Sequence, residues 1–284
     1  MKIYRYWHFI EREIGGTKVR TRAGSNESPA QAALLAEQKF ELYRRFADPA
    51  LTPPSPGELA AFRKEATGSS EYEVPICEEV VEELDKHNAV TRNRYGALVL
   101  NSEDHAFLDI DFCNCPPPGF GERLRAFFGG APLRTPEERL FELLRKVIND
   151  RLPYTPVRLY RTVKGFRMLL KNDCPAESPA MQKLMKELFC DSLYASLCAR
   201  QKCYRARLTP KPRRIGMKNT ALKFSFPYDE AQNKERKAWL EAYERRSAGY
   251  AVCRLVKCFG PELNTPVVAY HDRLCGVGSD KPLA

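Results

Sequence analysis

Phe107-Leu108-Asp109-Ile110-Asp111-Phe112 is the stretch on which the fold and function of this chain turn. Apolar and acidic residues alternate along it, and successive side chains on a β-strand point to opposite faces. On a strand, Leu108, Ile110 and Phe112 would face a core while Asp109 and Asp111 share the other side. Two carboxylates held that close repel each other, so a cation or a proton must offset their charge. Oxygen-only ligands favour Mg2+ or Mn2+ over zinc. The same spacing also fits a strand end whose acids are merely solvated.

Working outward, Tyr95 to Leu100 reads as a buried strand. Asn101-Ser102-Glu103-Asp104 reads as a turn, and Ala106 to Phe112 as the returning strand, giving an antiparallel hairpin at the centre of a sheet. Upstream, Pro75 to His87 reads as a helix. Downstream, Pro116-Pro117-Pro118-Gly119 begins a loop. Thr135-Pro136-Glu137-Glu138 is a capping box with proline at the first helical position, and its helix carries Leu140, Leu143, Leu144 and Val147 inward. Val157 to Thr162 and Phe166 to Leu170 form a second hairpin around Val163-Lys164-Gly165. Helices follow at about Pro179 to Phe189 and Leu193 to Gln201, then a strand at Cys203 to Leu208 and a polar helix at about Asn233 to Arg246. Strands at Tyr250 to Lys257 and Val267 to His271 end the series.

Hairpins separated by helices, without strict β-α-β alternation, predict an α+β fold with a mostly antiparallel sheet covered by helices on one face. The first seventy residues read as an accessory segment: a hairpin turning at Gly15-Gly16, a helix opened by Ser28-Pro29, and a short helix opened by Ser55-Pro56. Thr67-Gly68-Ser69-Ser70 is the candidate linker, so the expected division is 1–70 and 71–284.

The net charge of +10 favours an anionic partner, most often nucleic acid or nucleotide. Its distribution says more. Between Ser192 and Tyr228 there is no Asp or Glu, while Arg200, Lys202, Arg205, Arg207, Lys211, Arg213, Arg214, Lys218 and Lys223 all fall there. A surface tuned only for solubility mixes both signs, so this stretch is a candidate phosphate-binding region. No apolar run approaches a membrane span, and the N-terminal residues lack a secretory-type apolar stretch, which points to cytoplasmic residence. In that setting the ten cysteines are expected to be reduced and mostly buried. Cys198-x4-Cys203 and Cys253-x4-Cys258 together offer four thiolates that zinc could take, although both spacings are longer than the usual zinc knuckle.

Two further clusters carry chemistry. In the second hairpin, Arg161, Thr162, Lys164, Gly165 and Arg167 gather around a turn where Gly165 is expected to supply a positive φ, and amides, a hydroxyl and cations together suit a triphosphate. On the later strand, Arg205 and Arg207 share a face near Lys211 and can fork to phosphate, stack on a base, or pair with acids elsewhere. His105 and the His271-Asp272 pair are the histidines placed to reach the acids or a phosphate. There is no Gly-x-Ser-x-Gly nucleophile motif and no Walker phosphate loop.

Taken together, Tyr95-Gly96-Ala97-Leu98-Val99-Leu100, Phe107-Leu108-Asp109-Ile110-Asp111 and Thr162-Val163-Lys164-Gly165-Phe166-Arg167 make the region from Arg92 to Lys218 resemble the catalytic core of the archaeo-eukaryotic primase superfamily. The resemblance is to its bacterial and mobile-element primase-polymerases in particular. It implies a metal-dependent nucleotidyltransferase: Asp109 and Asp111 binding Mg2+ or Mn2+, Lys164 and Arg167 holding a nucleoside triphosphate, and Arg205, Arg207 and Lys211 holding the phosphates of nucleic acid or nucleotide. The family ordinarily presents a histidine where this chain has Arg167. It also has a third acid on the strand that here carries Arg205 and Arg207, leaving Asp173, Asp191 and Asp272 as substitutes. A non-catalytic nucleic-acid-binding protein and a metal-dependent nuclease are the alternatives.

Overall fold

The computed structural model describes residues 1–67, 73–130, 132–171, 174–218 and 226–284. Gly68, Ser69 and Ser70 of the candidate linker, Asp173 and Lys223 lie outside the described residues. The fold is α+β, and its strands pair antiparallel throughout the three sheets.

The N-terminal segment is a two-stranded ribbon, β1 (Tyr6–Ile14) and β2 (Thr17–Ser25), packed on α1 (Pro29–Ala47) and followed by α2 (Pro56–Thr67). Ser28 caps α1 by accepting from the Gln31 amide. Ile10, Val19, Ala23, Leu35, Ala36 and Phe40 form a small core of their own. A parallel bridge between Ile3 and Ile76 links this segment to the chain that follows.

The rest of the chain builds two four-stranded sheets. The first has the order β3 (Glu79–Asp85), β4 (Asn88–Arg92), β5 (Leu98–Ser102), β9 (Tyr204–Arg207). The second has the order β10 (Cys253–Phe259), β7 (Val157–Thr162), β8 (Gly165–Lys171), β6 (His105–Asp111). The helices are α3 (Phe120–Phe127), α4 (Pro136–Arg151), α5 (Pro179–Glu187), α6 (Ser192–Gln201), α7 (Glu230–Ser247) and α8 (Pro266–Cys275). One continuous apolar core joins both sheets to α4, α5, α6 and α8, with Leu100, Phe107, Leu144, Leu159, Leu169 and Met185 in it. Among the described residues, no helix is long and apolar enough to cross a membrane.

Several elements match the sequence. The α4 capping box is complete, with Thr135 and Glu138 each satisfying the other's backbone amide. The β7–β8 hairpin is found where expected, but it turns at Val163-Lys164 alone, and Gly165, expected in the turn, opens β8 opposite Thr162.

Others need correction. The segment expected as a helix from Pro75 to His87 instead holds β3, where β-branched Val80 pairs with Thr91 of β4 and Val81 lies at a bulge in the ladder. The expected final strand at Val267 to His271 is helix α8: Thr265 caps it with Pro266 in the first turn. Val267, Val268, His271 and Cys275 then recur at helical spacing on a buried face. β5 and β6 are not a central hairpin. β5 pairs with β4 and β9, whereas β6 is the edge of the other sheet and pairs with β8. α3 occupies a stretch read as loop.

Gly165 is needed for a different reason than a positive φ. It sits directly opposite Asp111, and a Cβ there would lie 1.9 Å from the Ile110 carbonyl oxygen and 2.8 Å from the Asp111 Cα. The glycine therefore lets β8 close against β6 beneath the acids.

Candidate phosphate-binding site

Strand alternation places Asp109 and Asp111 on one side of β6, with Ile110 fully buried between them. The β6–β8 register then sets their surroundings, because it puts Arg167 directly across from Asp109. Arg167 Nε donates to Asp109 Oδ1 at 2.7 Å, and Nη2 donates to Oδ2 at 3.2 Å. Its Nη1 donates to the Arg207 carbonyl at 3.0 Å and to His271 Nε2 at 3.3 Å. The Arg167 side chain is 3% exposed and that of Asp109 is 40% exposed. Burial alone would raise the Asp109 pKa, but the Arg167 guanidinium outweighs it and holds the carboxyl below its ordinary value. Both Asp109 oxygens are thus engaged. Asp111 makes no ion pair within 4.0 Å among the described residues.

A cluster of cations lies on the same side. Arg207, at the end of β9, has its pKa lowered first by burial and then by the nearby charges of Arg167 and Arg214, against a counter-effect from Asp109. Lys211 is pushed down to about 8 by burial and by Arg207, Arg214 and Arg213, with Asp111 opposing. Arg214, in the 3-10 turn Pro212–Ile215, is lowered by burial and Arg213, with Asp111 and Asp109 opposing. Among the described residues, Arg207, Lys211, Arg213 and Arg214 form no ion pair within 4.0 Å, and their side chains donate no hydrogen bond. Arg207, Lys211 and Arg214, partly buried, mutually repelling and without partners, form a cradle for an anion.

The remaining expected residues divide. Lys164 stands exposed at the β7–β8 turn, its carbonyl accepting from the Phe112 amide at 2.8 Å. Thr162 is opposite Gly165 on one side and Cys253 on the other, inside the ladder. Arg161 is drawn away: Nε and Nη2 donate to the two Glu137 oxygens at 2.6 and 2.9 Å, and the guanidinium lies 4.5 Å from the Phe112 ring centroid. Arg205 is also held structurally, donating to Asn101 Oδ1 at 2.8 Å, Glu78 Oε2 at 2.5 Å and Gln201 Oε1 at 3.4 Å. Arg205 and Arg207 share a strand face, yet only Arg207 is left for a ligand.

Of the proposed third acids, Asp191 and Asp272 lie among the described residues, and both are engaged elsewhere. Asp272 accepts from Arg158 Nη2 at 2.7 Å and from the Tyr160 hydroxyl at 2.8 Å. Asp191 caps α6 by accepting from the Tyr194 amide at 2.8 Å. His105 bonds Asp104 and Thr265 at 2.8 and 2.9 Å and is buried. Among the described residues, Asp109 and Asp111 do not join a third His, Cys, Asp or Glu in a group of metal-ligating atoms. Arg214 belongs to the basic stretch of the sequence, but the sequence does not show that a 3-10 turn brings it within reach of the charges of Asp111 and Asp109. Comparison with protein-family models, with curated proteins and with solved structures found no match in any of the three, so the site stands on its own geometry.

Proposed function

We propose that the face carrying Asp109, Asp111, Arg207, Lys211 and Arg214 binds the phosphate groups of a nucleotide or nucleic acid. One observation carries this: the Arg207 side chain is partly buried, crowded by other cations and without a hydrogen-bonded or ion-paired partner among the described residues. A phosphate placed there would supply acceptors to Arg207, Lys211 and Arg214 together and relieve their mutual repulsion. The net charge of +10 and the acid-free run from Ser192 to Tyr228 support a polyanion over a small inorganic ion.

A second reading, metal-dependent nucleotidyl transfer of the primase-polymerase kind, is favoured by Asp111, which shares a strand face with Asp109 and has no ion pair. In it Asp109 and Asp111 would hold Mg2+ or Mn2+, which would supply electrostatic stabilisation of a transferring phosphoryl group, and Lys164 and Arg167 would hold the triphosphate. Oxygen donors suit these hard cations.

Fluorescence anisotropy with single-stranded DNA and RNA oligonucleotides, competed by a nucleoside triphosphate, tests the first reading. Binding should weaken steeply with salt and fall severalfold with Arg207→Ala. Equal binding by wild type and Arg207→Ala would overturn it. Primer extension and oligonucleotide cleavage with Mg2+ or Mn2+, comparing wild type with Asp111→Ala, test the second and separate transferase from nuclease. Absence of both products from the wild type would leave binding alone.

A further inference from the structure

Beneath the Asp109–Arg167 pair lies a group of side chains that phosphate binding does not use. Cys253 opens β10, and His271 and Cys275 lie four residues apart on one face of α8. Their two Sγ atoms and an imidazole nitrogen all fall within 4.8 Å of one another. All three residues are buried, at 1%, 0% and 0% exposure.

We propose that Cys253, His271 and Cys275 form a structural site for a thiophilic divalent cation, with zinc the best match to two thiolates and an imidazole. Soft sulfur ligands with one imidazole select zinc over the magnesium and manganese that carboxylates prefer. The imidazole is already oriented for this. An arginine N–H can only donate, so His271 Nε2 accepts from Arg167 and Nδ1 carries the proton, which it donates to Asp272 Oδ1 at 2.9 Å. Asp272 is in turn fixed by Arg158 and the Tyr160 hydroxyl. A carboxylate bonded to the far nitrogen of a ligating histidine is the usual support that fixes the ring and raises its basicity.

The charges balance on loading. Each thiol releases a proton to solvent, and a divalent cation with two thiolates and a neutral imidazole is a neutral unit. It can therefore sit beside the Arg167 guanidinium. Nε2 would exchange its 3.3 Å contact with Arg167 for the metal, and Arg167 keeps Asp109 and the Arg207 carbonyl. That carbonyl oxygen is 3.8 Å from Cys275 Sγ, which puts an oxygen donor beside the cluster. The Cys253-x4-Cys258 spacing does not form the site, because Cys258 is exposed while Cys253 is buried.

Metal content by mass spectrometry of the whole chain, purified without chelator, tests the site. Wild type should hold about one zinc per chain, as should Cys198→Ser, which alters a buried thiol outside the cluster. Cys253→Ser and Cys275→Ser should lose most of the metal. Since either variant could fail to fold, the chelator-stripped wild type is also titrated with Co2+. A near-ultraviolet thiolate-to-cobalt charge-transfer band with the strong visible bands of tetrahedral cobalt is expected. Metal-free wild type that shows no such band while its ten thiols titrate fully would overturn the proposal. So would a Cys253–Cys275 disulfide in the freshly purified chain.

Discussion

Removing the Asp109 carboxylate tests the central ion pair most severely. In Asp109→Ala, Arg167 would remain 3% exposed with its charge uncompensated, keeping only the Arg207 carbonyl and His271 Nε2 as partners. Breaking a fully buried pair from one side costs about 3–5 kcal/mol. Asp109 is 40% exposed, so water screens part of the interaction and the expected loss is about 2–3 kcal/mol. In a chain of this size about 1 kcal/mol moves Tm by roughly 2 °C, so thermal denaturation should fall by about 4–6 °C. Asp111→Ala, which breaks no ion pair, should stay within about 0.5 kcal/mol of wild type.

Arg167→Met combined with Asp109→Ala removes the stranded charge and should recover most of the loss. The pH dependence has a definite sign. The Asp109 pKa is depressed, so its stabilisation is present above the ordinary value of 3.8 and disappears as pH falls through the lower folded-state value. The gap between wild type and Asp109→Ala should therefore be constant from neutral pH down to about 5 and close only in more acid solution. A single variant as stable as wild type, or a double variant no better than the single, would refute the pairing.

Three further outcomes follow from particular residues. Gly165→Ala forces a methyl to within 1.9 Å of the Ile110 carbonyl oxygen, so it should destabilise by more than about 4 kcal/mol and reduce soluble yield, read by urea denaturation. Lys211, held at about 8, should lose its proton as pH rises from 7 to 9, so phosphate affinity should fall across that range. Lys211→Arg should flatten the profile measured by anisotropy. Arg205→Ala breaks a half-buried pair with Glu78 and should lower Tm while leaving phosphate affinity largely intact; a loss of affinity without a change in Tm would reverse the roles given to Arg205 and Arg207.

Local signals in the sequence were legible where they were strong. Alternation in β6, the turn between β7 and β8, and the Thr135–Glu138 capping box each depend on residues a few positions apart. The β3 segment failed because Ile76, Val80, Val81 and Leu84 also fit a helical spacing, and pairing with β4 decided the outcome. The segment expected as a strand at Val267 to His271 is α8, because the Thr265 cap and Pro266 in the first turn decide its conformation over the strand preference of Val267 and Val268.

Alternation also put Asp109 with Asp111 on one side of β6 and Arg205 with Arg207 on one side of β9, as found. What it could not supply is long-range register. Arg167 faces Asp109 from 58 residues away, and Glu78 reaches Arg205 across 127. Those two pairings decide which cations are structural and which are left for a ligand.

The most direct test is a salt titration of single-stranded DNA binding by wild type and by the combined variant Arg207→Ala, Lys211→Ala, Arg214→Ala, with thermal melting to confirm the fold. If these three cations meet phosphates, the plot of log affinity against log salt should become shallower by about 2, at roughly 0.7 per phosphate contact on a single strand. Affinity at low salt should fall by at least about tenfold. A variant that melts like wild type and binds with the same affinity and the same slope would contradict the account.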